Sequence, residues 1–485
     1  MRRKGHALGL LIETRAGAIV RGMSAAQHPD VIIIGTGQAG VPLATRLAAA
    51  GKTVLIAEKG TPGGTCVNVG CTPTKTLVAS ARAAHVARTA GRFGVRTGTV
   101  AVDFEAVMAR KDEIVARWRA GVEKRLGGGG ERLRLLRGHA RFVGPRTVEV
   151  NGERYQAEQI VLNVGARPAR PDIPGLGDVP YLDSAGLLDS KTLPERLLIL
   201  GAGYIACEMG QMFRRFGSEV TLCAPSARLL PRETPAVSTA LTGVFEAEGI
   251  QLALGKHVTR VARTKRGIEL ELANGEGAPL TGSELLVATG RTPNTHDLGC
   301  DAGQIELDPR GYVVIDERYQ TSQPGVFAVG DCVLGLQFTH VSWDDHRVLF
   351  DILTGRAARA HSERLVPYTV FTDPQVAGVG LSAEAARAQK LDVEVASMPF
   401  GNIARAIETD ETAGIVELVL DAKSERILGA FIVGVDAGEL IHVFSVLTQA
   451  KASARAIVDA EFVHPTFAEG LQTAVMQLPR YALSR

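Results

Sequence analysis

The chain has 485 residues, 45% of them hydrophobic, with 54 basic against 52 acidic side chains and a formal net charge of +2. That length suits about two to four domains, and the balanced charge gives no reason to expect nucleic acid or an anionic membrane surface as a partner. Six cysteines are too few and too scattered for a disulfide framework, and no apolar run approaches the ~18 residues of a membrane span.

In chain order, residues 1–23 open Met1-Arg2-Arg3-Lys4 and carry a short apolar run broken by Glu13 and Arg15. They faintly resemble a signal peptide; the preferred reading is a disordered extension or a start codon placed too early. Asp30 to Gly40 then reads as a buried strand, a tight turn and a helix start. It is a GxGxxG fingerprint with Gly35, Gly37 and Gly40 in the required strand–helix context. Those glycines allow the turn, close approach of a pyrophosphate and tight packing, and the helix N-terminus meets the phosphates. A second strand over Thr53–Ala57 ends in Glu58, an acid placed to bond ribose hydroxyls.

Gly63 to Lys75 carries Cys66 and Cys71, five positions apart, with Gly70 before the second. A regular helix does not converge positions i and i+5, so the loop has to bend, and Gly70 permits it. Pro73 suits a first helical turn and the Ala-rich stretch to Arg88 forms a helix. Cys71 therefore stands beside a helix N-terminus, whose positive end favours a thiolate. A structural staple here would close a loop too short to gain much stability, so the pair reads as a catalytic disulfide. A reducing cytosol tolerates such a transient bridge, and a cytoplasmic location is expected. Cys207, Cys223, Cys300 and Cys332 stand alone and read as buried small apolar side chains. No resident metal site is expected.

Phe104–Leu126 reads as a long amphipathic helix, and the four glycines over 127–130 as a surface turn. The strand–turn–helix plan repeats at Arg196–Ala206, with Gly201, Gly203 and alanine in place of the third glycine. Two fingerprints imply two dinucleotides, one permanent and one exchanging. The strand over Glu219–Cys223 runs into Ala224 rather than an acid, with Arg228 nearby. A 2′-phosphate is tolerable there, which leans to NADPH while leaving NADH open.

The cysteine stretch Gly63-Gly64-Thr65-Cys66-Val67-Asn68-Val69-Gly70-Cys71-Thr72-Pro73-Thr74-Lys75 resembles the redox segment of the FAD-containing pyridine-nucleotide disulfide oxidoreductases. Glutathione reductase, dihydrolipoamide dehydrogenase and mercuric reductase are members, and the resemblance covers about Asp30 to Leu478. It implies an α/β chain with two Rossmann-like dinucleotide-binding domains and a C-terminal α+β dimerisation domain. The implied divisions are an FAD domain over 24–165 and 291–365, an NAD(P) domain over 166–290 and a dimerisation domain over 366–485. Runs ending in Gly165 and Gly290 resemble the crossovers between domains, and Gly330-Asp331 resembles the second FAD motif, whose aspartate bonds the ribityl chain.

One non-covalent FAD per chain, exchanging NADPH or NADH, and a homodimer follow from the same resemblance. By it, Cys71 faces the flavin and Cys66 attacks substrate. Lys75 and Glu208 meet near the flavin, and Tyr204 covers it until nicotinamide arrives. His464 with Glu469 is the acid–base pair that reaches the partner subunit's cysteines. Imidazole suits proton transfer to a leaving thiol near neutral pH, with the acid fixing its tautomer.

The wording nearest a subgroup, around Cys66–Cys71, Glu208–Met212, Leu230–Glu233 and Phe338–His346, resembles mercuric reductases and their relatives. The chain departs from them in carrying no cysteine after Cys332 and no N-terminal paired-cysteine domain. Hand-over of Hg(II) from a terminal pair is therefore not expected. The acceptor expected is a small disulfide or a thiol-reactive metal ion. Dihydrolipoamide dehydrogenase is the alternative enzyme, and a redox sensor without turnover the alternative of another class.

Overall fold

The computed structural model describes residues 28–481. The extension read over 1–23 lies outside them. Val31–Ile34 is wholly buried, as strands covered on both faces must be. It sits at the centre of a parallel five-stranded sheet in the order 326–328, 159–162, 31–34, 54–58, 133–137. A second parallel sheet runs 251–254, 219–224, 196–200, 284–287. The edge strand of the first sheet thus comes from beyond all four strands of the second. A short antiparallel pair, 166–168 with 291–293, joins the two units. Both units are Rossmann-like, as expected.

Each fingerprint turn needs its first glycine. Gly35 and Gly201 have φ of +105° and +137°, and a Cβ there would meet the carbonyl oxygens of Asn163 and Ala288 at 2.3 and 2.4 Å. Helices Gly40–Ala49 and Tyr204–Phe216 follow. The alanine in the third glycine's place, Ala206, is fully buried.

The C-terminal part is an antiparallel sheet in the order 368–370, 375–380, 427–434, 415–421, 393–399, with helix Ala437–Gln449 against it. It is the α+β unit anticipated, and the expected strands near 413–420 and 427–433 are present with ends shifted by a residue or two. Helices Cys71–Thr89, Phe104–Gly127 and Tyr204–Phe216 pack together through Leu77, Phe104, Met108, Met209, Phe213 and Phe216. This packing carries side chains of the second unit to the cysteine pair. The four lone cysteines are buried, and no helix among the described residues is long and apolar enough to cross a membrane.

Candidate active site

The cysteine stretch differs from its expected form. Cys66 stands on a short helix, Gly64–Val69, rather than in a loop, and the long helix begins at Cys71 itself. Gly70 makes the break: a Cβ there would lie 2.8 Å from the Thr65 carbonyl oxygen. Asn68 anchors the short helix, its amide nitrogen donating to the Thr61, Pro62 and Gly64 carbonyls at 3.1, 3.2 and 3.0 Å.

Both cysteines are free thiols, the reduced form of the pair. They are unequal. The Cys66 thiol, hydrogen-bonded to Cys71, brings the latter's pKa down to about 6 against the opposing effect of burial. Thr339, whose hydroxyl lies 3.1 Å from the Cys71 sulfur, and the Lys75 ammonium act in the same direction. The same hydrogen bond, reinforced by burial, pushes Cys66 far up. Cys71 is therefore the thiolate at neutral pH, and the first residue of its helix is where the dipole favours that charge.

Lys75, one turn along, donates to Glu208 Oε2 at 2.6 Å. Glu208 is buried, and its other oxygen accepts the Phe371 backbone N–H at 2.8 Å. The Lys75 ammonium also lies 4.6 Å from the centre of the Phe371 ring. Three parts of the chain thus fix one ion pair. Tyr204 lies tilted against Phe338 at 6.1 Å, and burial pushes its phenol up to about 12.

These groups line one cleft of about 1060 Å³ together with Gly35, Gly37, Glu58, Gly165 and Asp331. That volume exceeds the roughly 300–1,000 Å³ of ordinary small-ligand sites and suits a dinucleotide. Two observations fit a polar ligand such as FAD. Arg291 Nε is buried without a partner, although its Nη2 lies 3.3 Å from Asp331. Asp331 is held above the usual carboxylate range by burial, so the pair is under-satisfied as it stands. Glu58 braces the first turn, accepting from Thr36 N at 3.0 Å and from the Thr36 hydroxyl at 2.5 Å.

Gly40 sits inside that turn, its would-be Cβ 2.1 Å from the Gly35 carbonyl oxygen. Gly201 and Gly203 form the second turn and Arg228 follows the strand Glu219–Ala224; like Gly290, none of them lines the cleft. A Cβ at Gly203 would meet nothing within 4 Å, leaving the turn open to a ligand. Arg228 is half-buried and has no ion pair among the described residues. His464 Nδ1 lies 2.9 Å from Glu469 Oε2, so the dyad is formed, but His464 is exposed and neither residue lines the cleft of its own chain. Sequence reasoning missed Thr339, Phe371 and Arg291 as participants. Each becomes relevant only through a long-range contact, and none carries a spacing signal.

The sequence model described as pyridine nucleotide-disulphide oxidoreductase matches residues 29–345, and that of the family's dimerisation domain matches 366–475. The chain belongs to this family. Members are FAD-dependent disulfide oxidoreductases with NAD(P)H as co-substrate. The oxidoreductase is 34% identical to a mercuric reductase of Staphylococcus aureus, covering 92% of this chain and 82% of that one. It is also 34% identical to a dihydrolipoyl dehydrogenase of Thermus scotoductus, over 94% and 98%. The solved structure of the HOCl-induced flavoprotein disulfide reductase RclA from Escherichia coli superposes with a TM-score of 0.84. It is 34% identical and covers 92% and 99% of the two chains.

Proposed function

We propose that this oxidoreductase passes electrons from NAD(P)H to the Cys66–Cys71 pair and on to a disulfide or a thiol-reactive metal ion. The observation that carries this reading is the inequality of the two thiols within the cleft shared with the first fingerprint. One cysteine is poised as a thiolate near pH 6, beside the Lys75–Glu208 ion pair. FAD, held by the Gly35–Gly40 turn, Glu58, Gly165 and Asp331, would supply the two-electron relay from nicotinamide.

With the pair reduced, Cys66 loses its proton and attacks one sulfur of the acceptor, whose other sulfur leaves as a thiol. The partner subunit's His464, oriented by Glu469, carries that proton. The Cys71 thiolate then attacks Cys66, closing the Cys66–Cys71 disulfide and releasing the second sulfur as a thiolate that takes its proton from water. One acceptor disulfide is reduced to two thiols, and the pair is oxidised by the same two electrons. Lys75 supports negative charge at the pair, and Glu208 holds the lysine in place through their 2.6 Å ion pair.

Support for a metal acceptor comes from relatives. One is a mercuric reductase, and RclA has also been solved as a Cu(II) complex, at a TM-score of 0.85. A panel of small disulfides, Hg(II) and Cu(II), scored by NADPH and NADH oxidation, tests the reading. Steady turnover with at least one acceptor is expected. No turnover with any, while the thiols still oxidise reversibly, would replace it with a redox sensor.

A further inference from the structure

Four permanent cations line the cleft: Lys59, Lys75, Arg119 and Arg291. Three of them face a carboxylate, at Asp297, Glu208 and Asp331 respectively. Arg119 is the exception among the described residues. It is half-buried, and its one hydrogen bond goes from Nε to the neutral Asn68 amide oxygen at 2.6 Å. Its terminal nitrogens, which carry four of a guanidinium's five N–H groups, have no protein acceptor among the described residues. A half-desolvated guanidinium with a fork of free donors suits an oxyanion that comes from outside the protein.

Its surroundings indicate which part of the cleft that anion occupies. Asn68, oriented by Arg119, bonds the Gly64 carbonyl at 3.0 Å. Gly64 in turn lies directly on Gly37 of the first fingerprint turn, so close that a Cβ would come 2.8 Å from the Gly37 Cα. Arg119 is thus linked through two residues, Asn68 and Gly64, to the turn whose backbone and following helix favour phosphate. Through the same Asn68 it is linked to the helix that carries Cys66.

We propose that Arg119 is an oxyanion-binding residue of the cleft, linked through Asn68 and Gly64 to the Gly35–Gly40 turn, and that it ties anion binding to the seating of the Cys66 helix. The inference rests on the functional reading above. The oxyanion has two sources, the diphosphate of the flavin or a carboxylate on the acceptor, and two measurements separate them.

The first is flavin retention by Arg119→Gln, Arg119→Lys and wild-type holoenzyme, read as protein-bound flavin after repeated ultrafiltration and as the Kd for FAD on rebinding. The second is KM for a disulfide carrying carboxylates against a neutral one. If the diphosphate is the ligand, Arg119→Gln weakens FAD by roughly 10- to 100-fold, the worth of one charge-assisted hydrogen bond, and Arg119→Lys recovers part of it. If an acceptor carboxylate is the ligand, FAD is unaffected and KM rises about tenfold or more for the charged disulfide alone. Either result supports the proposal. Arg119→Gln that folds with wild-type FAD affinity and wild-type KM for both disulfides overturns it while leaving the functional reading intact. Wild-type protein that takes up no FAD would overturn the functional reading itself.

Discussion

At the scale of single residues, the asymmetry of Cys66 and Cys71 makes the sharpest demand. The Cys66 thiol, Thr339 and Lys75 all favour charge on Cys71 and hold its pKa down, to about 6, against the effect of burial. A thiolate against bound flavin gives a long-wavelength absorbance, so Cys66→Ser holoenzyme should show that band without reductant. In two-electron-reduced wild type, which keeps the Cys66 thiol, the same band should fade only as pH falls through about 6, when the thiolate takes up its proton. With the Cys66 donor removed, the midpoint should move upward toward the free-thiol value of about 8.5. The two expectations are separable by titration: a Cys66→Ser midpoint still at 6 would assign the depression to Lys75 and the helix terminus alone. Cys71→Ser should lack the band at every pH. Among the residues that make this environment, Cys66, Cys71 and Lys75 were legible in the sequence because they stand close together in one continuous stretch, Gly63 to Lys75. Thr339 was not, since 268 positions separate it from Cys71 and nothing local marks a threonine as the partner of a sulfur.

At the scale of elements, the break between helices Gly64–Val69 and Cys71–Thr89 is what brings two cysteines together at a five-residue spacing. Gly70→Ala should push its methyl into the Thr65 carbonyl. A cost of about 1–3 kcal/mol is expected, the usual penalty of overpacking, together with slower disulfide closure measured by thiol titration. The bend itself was foreseeable from Cys-x4-Cys and glycine. That Cys66 would be helical was not, because its short helix is held by Asn68 reaching back to Thr61, Pro62 and Gly64 rather than by propensity. The fingerprint strands were legible for the opposite reason. Their apolar runs and glycine spacing are local and strongly periodic. The second fingerprint also yields a test of nucleotide choice. Strand Glu219–Ala224 ends without a carboxylate, and Arg228 lacks an ionic partner among the described residues. NADPH should be used at least as efficiently as NADH, and Arg228→Ala should cut kcat/KM for NADPH by about tenfold while sparing NADH. A clear NADH preference in the wild type would move the reading toward dihydrolipoamide dehydrogenase.

At the scale of the whole molecule, the His464–Glu469 dyad is complete but absent from the cleft lining of its own chain. The family's dimerisation domain matches here, and the dyad should serve a second subunit. His464→Ala should slow disulfide reduction by roughly 10²–10⁴-fold while leaving flavin reduction by NADPH nearly unchanged in stopped-flow traces. A metal-ion acceptor should lose much less, since no thiol leaving group needs a proton. Co-expressing Cys66→Ser with His464→Ala chains tests the arrangement directly. Hybrid dimers should recover one working site that neither parent has. Recovery absent from verified hybrids would show that each chain uses its own histidine. The dyad was visible in the sequence, but its separation from the cysteines within one chain was not, because only the folded path of the C-terminal unit decides it.

The strand order of the first sheet has a consequence for how the protein is made. Strand 326–328 pairs with 159–162, yet the entire second sheet is encoded between them. A ribosome therefore releases the nucleotide unit whole while strand 159–162 still lacks its neighbour, for a time on the order of ten seconds or more at ordinary elongation rates. During that interval the nascent chain carries an open row of backbone donors and acceptors beside an apolar strand, a template for wrong pairing. Asp331, three residues beyond the missing strand, arrives only with it. Chains arrested between 290 and 325 should accumulate as aggregates that retain no flavin, while slower elongation through that stretch should raise the demand for chaperones.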